Sequence, residues 1–392
     1  MGAEKRNATE MEFEFPETLT DVRKKAREFA LREMTPALAR KHDLSEEYPE
    51  DLRKKVFASG ILDYSDPWKV LVTTEEFCRV DAGMGTASIA ALFGMELIML
   101  FGTEQQKQEY LTPVNSGQAI MGLAVTEASA GSDVAGIKTT AVKSGDRYII
   151  NGSKMFITNG QLADFLVVLT RTAQPDEKRH HGLSVFIVDM DSTGVSRNKL
   201  SGKLGVRATN TAEIVFDNVE VPAKNLLGEE GKGFYYIMTF FNISRIYVAI
   251  QAVGIAQGAL DRTLELVERK GTRSIETEKE QVLVTLGEMA TRIEAARLLT
   301  YEAASRLFKF NPDPKLTSMA KAYAAETAVH VTEKALELTG VEGLAGDLER
   351  SFRDAKIMEI WEGTSEVEKL IIARTIGRER TKAKAEKSGD RT

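Results

Sequence analysis

Residues 122–133 read GLAVTEASAGSD, and how that stretch is interpreted decides the fold. A short apolar strand over 120–125 gives way to small and hydroxyl residues that end Ala130-Gly131-Ser132-Asp133. Small residues let backbone amides come close to a ligand, and hydroxyls supply short hydrogen bonds. By themselves these residues also describe a strand running into an ordinary turn. Two later stretches keep them company: KMFITNG at 154–160 and IWEGTSEVEKLIIAR at 360–374.

In that order the three stretches closely resemble the acyl-CoA dehydrogenase family of flavoenzymes. The links between them share the resemblance: FGTEQQKQEYL from Phe101, KLGVRATNTAEIVFDNVEVPAKNLLGEEGKGF from Lys203 and AIQAVGIAQGAL from Ala249. The similarity runs from Leu19 or so to Gly377, nearly the whole chain. A single motif would carry little weight, whereas the ordered set is specific.

A chain of 392 residues exceeds what one hydrophobic core serves, so two or three domains are expected. Hydrophobic residues make up 43% and charged residues 28%, ordinary for a soluble globular protein. The net charge of -6 and the lack of a basic stripe with interleaved aromatics argue against nucleic acid as a partner. Cys78 is the only cysteine, which excludes an internal disulfide and points to a reducing compartment. The opening MGAEKRNATEMEFEF is too acidic for a transit peptide and lacks the apolar core of a signal peptide, so a cytoplasmic location is expected. Residues 82–101 are mostly small and apolar but include Glu96 and several Gly, Ser and Thr. A buried helix, not a membrane span, is expected there.

Hydrophobic period divides the chain in three. Residues 1–15 read as a loose arm. From Thr20 onward Val22, Ala26, Phe29, Ala30 and Met34 recur at helical spacing, with Thr20 and Asp21 suited to the helix start and Pro36 to its bend or end. Helical pattern continues at 52–57, 70–80, 82–101 and 104–111. Strand pattern follows at 139–142 and 147–151, around a turn at Ser144-Gly145-Asp146, and again at 165–170, 183–188 and 212–216. From Gly233 four long amphipathic stretches, 234–270, 278–308, 315–338 and 365–376, suit an antiparallel bundle. The resemblance implies the same order. The expected fold is α+β, mostly α: an N-terminal helical domain (1–118), a middle β-barrel-like domain (119–230) and a C-terminal four-helix bundle (231–392) whose charged tail frays from about 379.

Glu362 is the leading candidate for chemistry. It precedes a helix marked by capping-box spacing between Ser365 and Glu368 and by a buried face of Val367, Leu370 and Ile371. Outside its motif it would read as a surface carboxylate in a loop. The resemblance makes it the base that takes the proton alpha to a thioester carbonyl, which requires a carboxylate desolvated enough for its pKa to rise toward working pH. Some family branches put the base one residue before an Arg on the helix that here begins near Phe234. That place holds Ser244, which cannot serve. The resemblance further implies that the Glu362 amide and a ribityl hydroxyl of the flavin steady the enolate oxygen. A strand at KMFITNG would set Phe156 and Thr158 on one face, suiting a ring near the isoalloxazine and a hydroxyl at its edge. Many relatives carry Trp in place of Phe156.

By the same resemblance Leu123, Val125, Thr126, Gly131, Ser132, Phe156, Thr158, Arg269, Gly340, Thr364 and Glu366 contact FAD. Ser132, Asn242, Arg245 and Gly363 contact the acyl-CoA. Asn242 replaces the commoner Asp, and Arg245 has a surface ion pair as its plain alternative. GEEGKGF at 228–234 lacks the βαβ setting of a dinucleotide loop, and His42, His180, His181 and His330 lack zinc-ligand spacing, so no metal is expected.

The resemblance weakens where relatives hold the adenosine pyrophosphate of a neighbouring subunit's FAD. They follow the first long C-terminal helix with Arg, an aromatic-glycine pair and then Gln. Here Arg269 is kept, but Gly271-Thr272-Arg273 replace the usual pattern and Glu280 stands where Gln is expected, with Gln281 one residue out of register. A second element, usually Gln with paired glycines, reads Glu337 with Gly340-Val341. Carboxylates beside a pyrophosphate are unfavourable unless other charges intervene. The loop over 62–70 is also shorter than in most relatives. The expected function is FAD-dependent dehydrogenation of an acyl-CoA to a 2,3-enoyl-CoA, with electrons passed to an electron-transfer flavoprotein, by a homotetramer or dimer. The alternatives are an acyl-CoA oxidase and a half-site subunit of a hetero-oligomer. Gly85 stands where relatives that take dicarboxylic thioesters carry Arg, which demotes glutaryl-type substrates.

Overall fold

Prolines and short polar caps cut the first third into brief helices: α1 (Thr18–Glu33), α2 (Pro36–Ser45), α3 (Glu50–Ser59), α4 (Pro67–Val80), α5 (Ala82–Ile89), α6 (Met95–Phe101), α7 (Glu104–Gln106) and α8 (Thr112–Asn115). The structure, a computed structural model, describes residues 18–174, 178–270 and 279–388. The arm at 1–15 and the segment containing Arg273 lie outside them. Thr35 caps α2 by accepting from the Leu38 N–H at 3.3 Å, and Asp66 caps α4 by accepting from the Trp68 N–H at 3.0 Å. Each cap precedes a proline at the first helical position, where a missing N–H costs nothing. Pro36 therefore ends one helix by starting the next. The apolar run at 82–101 is not one helix: a 3₁₀ turn at Ala90–Leu92 and Gly94 split it. It is largely buried, as is 233–269, the other described segment long and apolar enough to cross a membrane.

The middle third forms an eight-stranded sheet from β1 (Met121–Ala124), β2 (Thr140–Ser144), β3 (Arg147–Thr158), β4 (Phe165–Arg171), β5 (Leu183–Asp189), β6 (Val195–Lys199), β7 (Thr211–Pro222) and β8 (Leu226–Leu227). The order is β6-β7-β3-β2-β4-β5-β8, with β1 parallel to β4. Sequence pattern misses β6, in which no residue is fully buried, and β8, two residues being too short for a period. In β3 the pairing with β7 slips between Lys154 and Ile157, and Phe156 takes φ +61. This bulge buries Lys154 and Ile157, three residues apart, so the plain alternation expected for KMFITNG fails. Phe156 is left 67% exposed.

The last third comprises α9 (Gly233–Lys270), α10 (Glu280–Phe308), α11 (Pro314–Thr339), α12 (Val341–Ala345), α13 (Asp347–Ala355) and α14 (Ser365–Ser388). The core between α9, α10 and α11 is rich in alanine, including Ala252, Ala256, Ala296, Ala324 and Ala328, and small side chains let helix axes approach closely. At Gly258 any Cβ would overlap the Arg79 carbonyl at the end of α4, so α4 and α9 touch backbone to backbone. Buried Glu75 and Glu76 of α4 receive Arg23 and Arg27 from α1 and Arg297 from α10 at 2.6–3.2 Å. The expected fraying from about 379 is not seen. Helix α14 continues past 379 to Ser388, and its Glu379 meets Lys315 at 2.7 Å.

Gly258→Leu forces a branched side chain against a carbonyl that cannot retreat without separating α4 from α9. The expected cost is roughly 1–3 kcal/mol, read as a lower urea midpoint with an unchanged slope. An unaltered midpoint would mean that the two helices do not meet there.

Candidate functional site

Glu362 sits in the turn between the 3₁₀ segment Lys356–Glu359 and α14, at φ +54, and Gly363 follows at φ +114. A non-glycine residue holds the left-handed region only when its surroundings insist. Here they do. Lys321 Nζ, from α11, donates to the Gly363 carbonyl, and Arg245 Nε, from α9, donates to the Glu362 carbonyl at 3.0 Å. Arg245 also pairs with Glu368 of α14 at 2.9 Å. Lys321 and Glu368 are fully buried and Arg245 nearly so, which removes the reading of Arg245 as a surface ion pair. A Cβ at position 363 would collide with Glu368 Oε1, so only glycine fits. The capping box expected from Ser365 and Glu368 does not form. Thr364 caps α14 by accepting from the Val367 N–H at 3.4 Å, because Arg245 claims the Glu368 carboxylate.

The Glu362 carboxylate accepts from the Ser244 hydroxyl at 2.5 Å. Burial pushes its pKa up. Ser244, Arg245 and Lys321 pull it back, Glu368 pushes again, and the net result is a raised value. Burial also brings Lys321 down to about 8 and raises Glu368. The second Glu362 oxygen and the Glu362 N–H have no hydrogen-bond partner among the described residues. A raised carboxylate with one anchored and one free oxygen is built to accept a proton. Ser244, unable to be a base itself, orients the Glu362 carboxylate.

The small-residue stretch is held by a second buried ion pair. Beyond β1 the chain turns where Glu127 and Ala130 exchange backbone hydrogen bonds of 3.0 and 3.1 Å. Glu127 accepts from the Lys138 and Thr139 N–H groups and from Lys154 Nζ at 2.7–3.0 Å, and Lys154 also donates to the Val125 carbonyl at 3.0 Å. Burial would raise Glu127, but Lys154 and the amides hold it below the usual carboxylate range, while burial takes Lys154 down to about 8. The Met155 N–H donates to the Thr126 carbonyl at 2.8 Å, which lays Thr126 beside the β3 bulge. Asn159 then donates to the Met121 and Ala90 carbonyls at 2.8 and 2.6 Å, tying the end of β3 to β1 and to the helical third. Gly131 and Ser132 are exposed, and Thr158 is partly so. The side chains of Leu123 and Val125 are buried in the core, which leaves their backbone to meet any ligand.

Arg269 and Gly340 lie apart from both clusters. Arg269 lines an open groove of about 1110 Å³ with Arg262, Glu265, Glu342 and Arg350, and Gly340 precedes α12 on its wall. No residue of the Glu362 cluster lines it. Glu337 is exposed and neutralised by Lys334 at 2.7 Å, and Glu280 is exposed at the start of α10. Asn242, half-buried, lies one turn before Arg245, and Glu366 is exposed in the first turn of α14. Lys321 escaped sequence reasoning, although a lysine on the alanine-rich face MAKAYAA puts a charge where helical period demands core.

Three family profiles match in chain order: acyl-CoA dehydrogenase N-terminal domain over 16–118, middle domain over 122–219 and C-terminal domain over 231–377. The chain belongs to the acyl-CoA dehydrogenase family. An acyl-CoA dehydrogenase of Bacillus subtilis is 38% identical over 90% of this chain and 96% of its own length. The caffeyl-CoA reductase-Etf complex subunit CarC of Acetobacterium woodii is 36% identical over 92% and 98%. The solved butyryl-CoA dehydrogenase from Megasphaera elsdenii superposes with a TM-score of 0.85 at 33% identity, over 93% and 99%. The family is flavin-dependent, and this acyl-CoA dehydrogenase is an oxidoreductase acting on a CH–CH bond.

In this dehydrogenase Lys154→Met strands a buried Glu127 carboxylate, with an expected loss of roughly 3–5 kcal/mol. Lys154→Met combined with Glu127→Leu should recover much of it in denaturant unfolding. A double variant no more stable than the additive sum of its singles would show that the pair is not coupled.

Proposed function

We propose that the enzyme oxidises an acyl-CoA thioester to its 2,3-enoyl-CoA with Glu362 as the base and FAD as the bound flavin, and passes the electrons to an electron-transfer flavoprotein. The observation that carries this reading is the raised, half-anchored Glu362 carboxylate on a backbone clamped by Arg245 and Lys321.

The residues at the flavin-ring end fit the group. Phe156 offers an exposed aromatic face, Thr158 a partly exposed hydroxyl, and Gly131-Ser132 an open stretch of backbone. Leu123, Val125 and Thr126 would reach the flavin through their main chain, with Thr364 and Glu366 at the start of α14. When bound, the flavin supplies the acceptor for the hydride leaving the beta carbon. Arg269 and Gly340 would serve the pyrophosphate end in a neighbouring copy of a dimer or tetramer. Arg262 lies two turns before Arg269 in the same groove, and Lys334 offsets Glu337.

Charge balance explains the clamp. With Glu362 ionised, two carboxylates and two cations (Glu362, Glu368, Arg245 and Lys321) sum to zero. Once Glu362 takes the alpha proton the group carries one net positive charge, just as negative charge builds on the thioester oxygen. The unpartnered Glu362 N–H is then free to donate to that oxygen, and both effects favour the enolate. Ser132, Asn242 and Gly363 would position the rest of the acyl-CoA. The relatives named for butyryl-CoA and caffeyl-CoA differ in acyl group, so family membership does not fix it here.

Glu362→Gln keeps the shape but removes the proton acceptor. Flavin should still bind, while anaerobic flavin bleaching by acyl-CoA slows by roughly two to four orders of magnitude. Near-normal bleaching would sink the assignment. Ser244→Ala removes a donor that favours the ionised base, so the Glu362 pKa rises further. Activity needs the carboxylate and disappears as pH falls through that pKa, so the acid limb of kcat should move to higher pH. A limb that stays put, or moves lower, would remove Ser244 from the site.

A further inference from the structure

Near Glu362 three polar side chains from three elements have no hydrogen-bond partner in another described residue. Tyr64 lies in the loop before α4, Glu96 in the first turn of α6, and Tyr247 on α9 one turn beyond Ser244. Tyr64 Oη is shielded from solvent and hydrogen-bonds to nothing. Neither the Glu96 carboxylate nor the Tyr247 hydroxyl has a side-chain or main-chain partner in another described residue. Tyr247 is an electrostatic neighbour of Tyr64, and Glu96 of both phenols and of Glu362. Burial raises all three, Glu96 to about 7, and beyond burial Glu96 acts on both phenols and Glu362 acts on Glu96. Their surroundings are apolar: Tyr64 packs against clusters that include Met84, Ala87, Leu92 and Met95.

A shielded polar group without a partner is rare and costly, and here the Tyr64 hydroxyl has two more unpartnered, partly exposed polar groups beside it; together they call for an occupant that hydrogen-bonds to them. A plain hydrocarbon end would leave all three unmet. A carboxylate would meet two like charges, Glu96 and Glu362. A neutral hydroxyl can donate and accept at once, which suits two phenols and a carboxyl in either protonation state. We propose that Tyr64, Glu96 and Tyr247 form a subsite for a hydroxyl group carried by the acyl chain, so that the preferred substrates are hydroxylated acyl-CoA thioesters. This rests on the acyl-CoA reading and names the acyl class within it. The hydroxyl is either a phenol or an aliphatic alcohol, and the test separates them.

Calorimetric titration of the Glu362→Gln protein measures affinity without turnover. Two matched pairs serve: 3-phenylpropanoyl-CoA against 3-(4-hydroxyphenyl)propanoyl-CoA, and pentanoyl-CoA against 5-hydroxypentanoyl-CoA. In at least one pair the hydroxylated member should bind roughly tenfold tighter or more. The aryl pair alone assigns a phenol, and the aliphatic pair alone an alcohol. On the same background Glu96→Leu and Tyr64→Phe should erase the preference without weakening the unsubstituted member, whereas Glu96→Gln, which still hydrogen-bonds, should largely keep it. Equal affinities within both pairs would show that the cluster holds only water and overturn the proposal, as would a preference that survives both Glu96→Leu and Tyr64→Phe. No binding of any of the four thioesters would overturn the acyl-CoA reading with it. Binding that follows the expected preference, accompanied by flavin bleaching in the Glu362→Gln protein, would sink the base assignment alone.

Discussion

The buried pair between Arg245 and Glu368 is the interaction on which the active centre depends. It joins α9 to α14, and the same guanidinium holds the Glu362 carbonyl. Lys321 adds the third helix, α11, through the Gly363 carbonyl. A buried ion pair is weak evidence for stability in general, because desolvation consumes most of the Coulombic gain. Its value here is geometric. Two adjacent residues in the left-handed region would relax in solvent, and two cations inside a dry helical core keep them as they are. Because α9 also meets α4 backbone to backbone at Gly258, the helix that positions Glu362 is seated against the N-terminal helices.

The β-half solves the same problem in the same way. Lys154 is buried, pairs with Glu127 and donates to the Val125 carbonyl, just as Lys321 is buried near Glu368 and donates to the Gly363 carbonyl. Both carbonyls lie where the chain leaves regular structure, so neither has a ladder or helix partner of its own. An ammonium group with three donors can satisfy such a carbonyl and a nearby carboxylate together. Each lysine thereby converts a loop that would otherwise sample many conformations into a fixed wall.

The groove holding Arg269 is of another kind. Three of its cations are already paired with carboxylates: Arg27 with Glu76, Arg79 with Asp261 and Arg350 with Asp81. Among the described residues Arg262 and Arg269 make hydrogen bonds only to carbonyls, which leaves their charge for a partner. The acidic departures at Glu280 and Glu337 do not fill this groove. Both residues are exposed, and Lys334 already screens Glu337.

The order of helical, strand and helical segments was legible because hydrophobic period is a local property, and Glu362 was legible because its motif is contiguous. What surrounds Glu362 was not. Ser244 and Glu362 are 118 residues apart, and nothing local in NISRIY announces which carboxylate its hydroxyl will meet. Glu368 carries the spacing of a cap, and only the packing of α9 on α14 gives it to Arg245 instead. The bulge at Phe156 follows from three steps of β3, Lys154 to Ile157, pairing with two steps of β7, Ile214 to Ala212, which neither strand displays alone. The chain thus determined by itself the order of the helical and strand regions and which carboxylate is the candidate base. The tertiary structure decided how that base is charged, held and flanked, because those properties belong to contacts between distant residues in a medium where solvent no longer levels them.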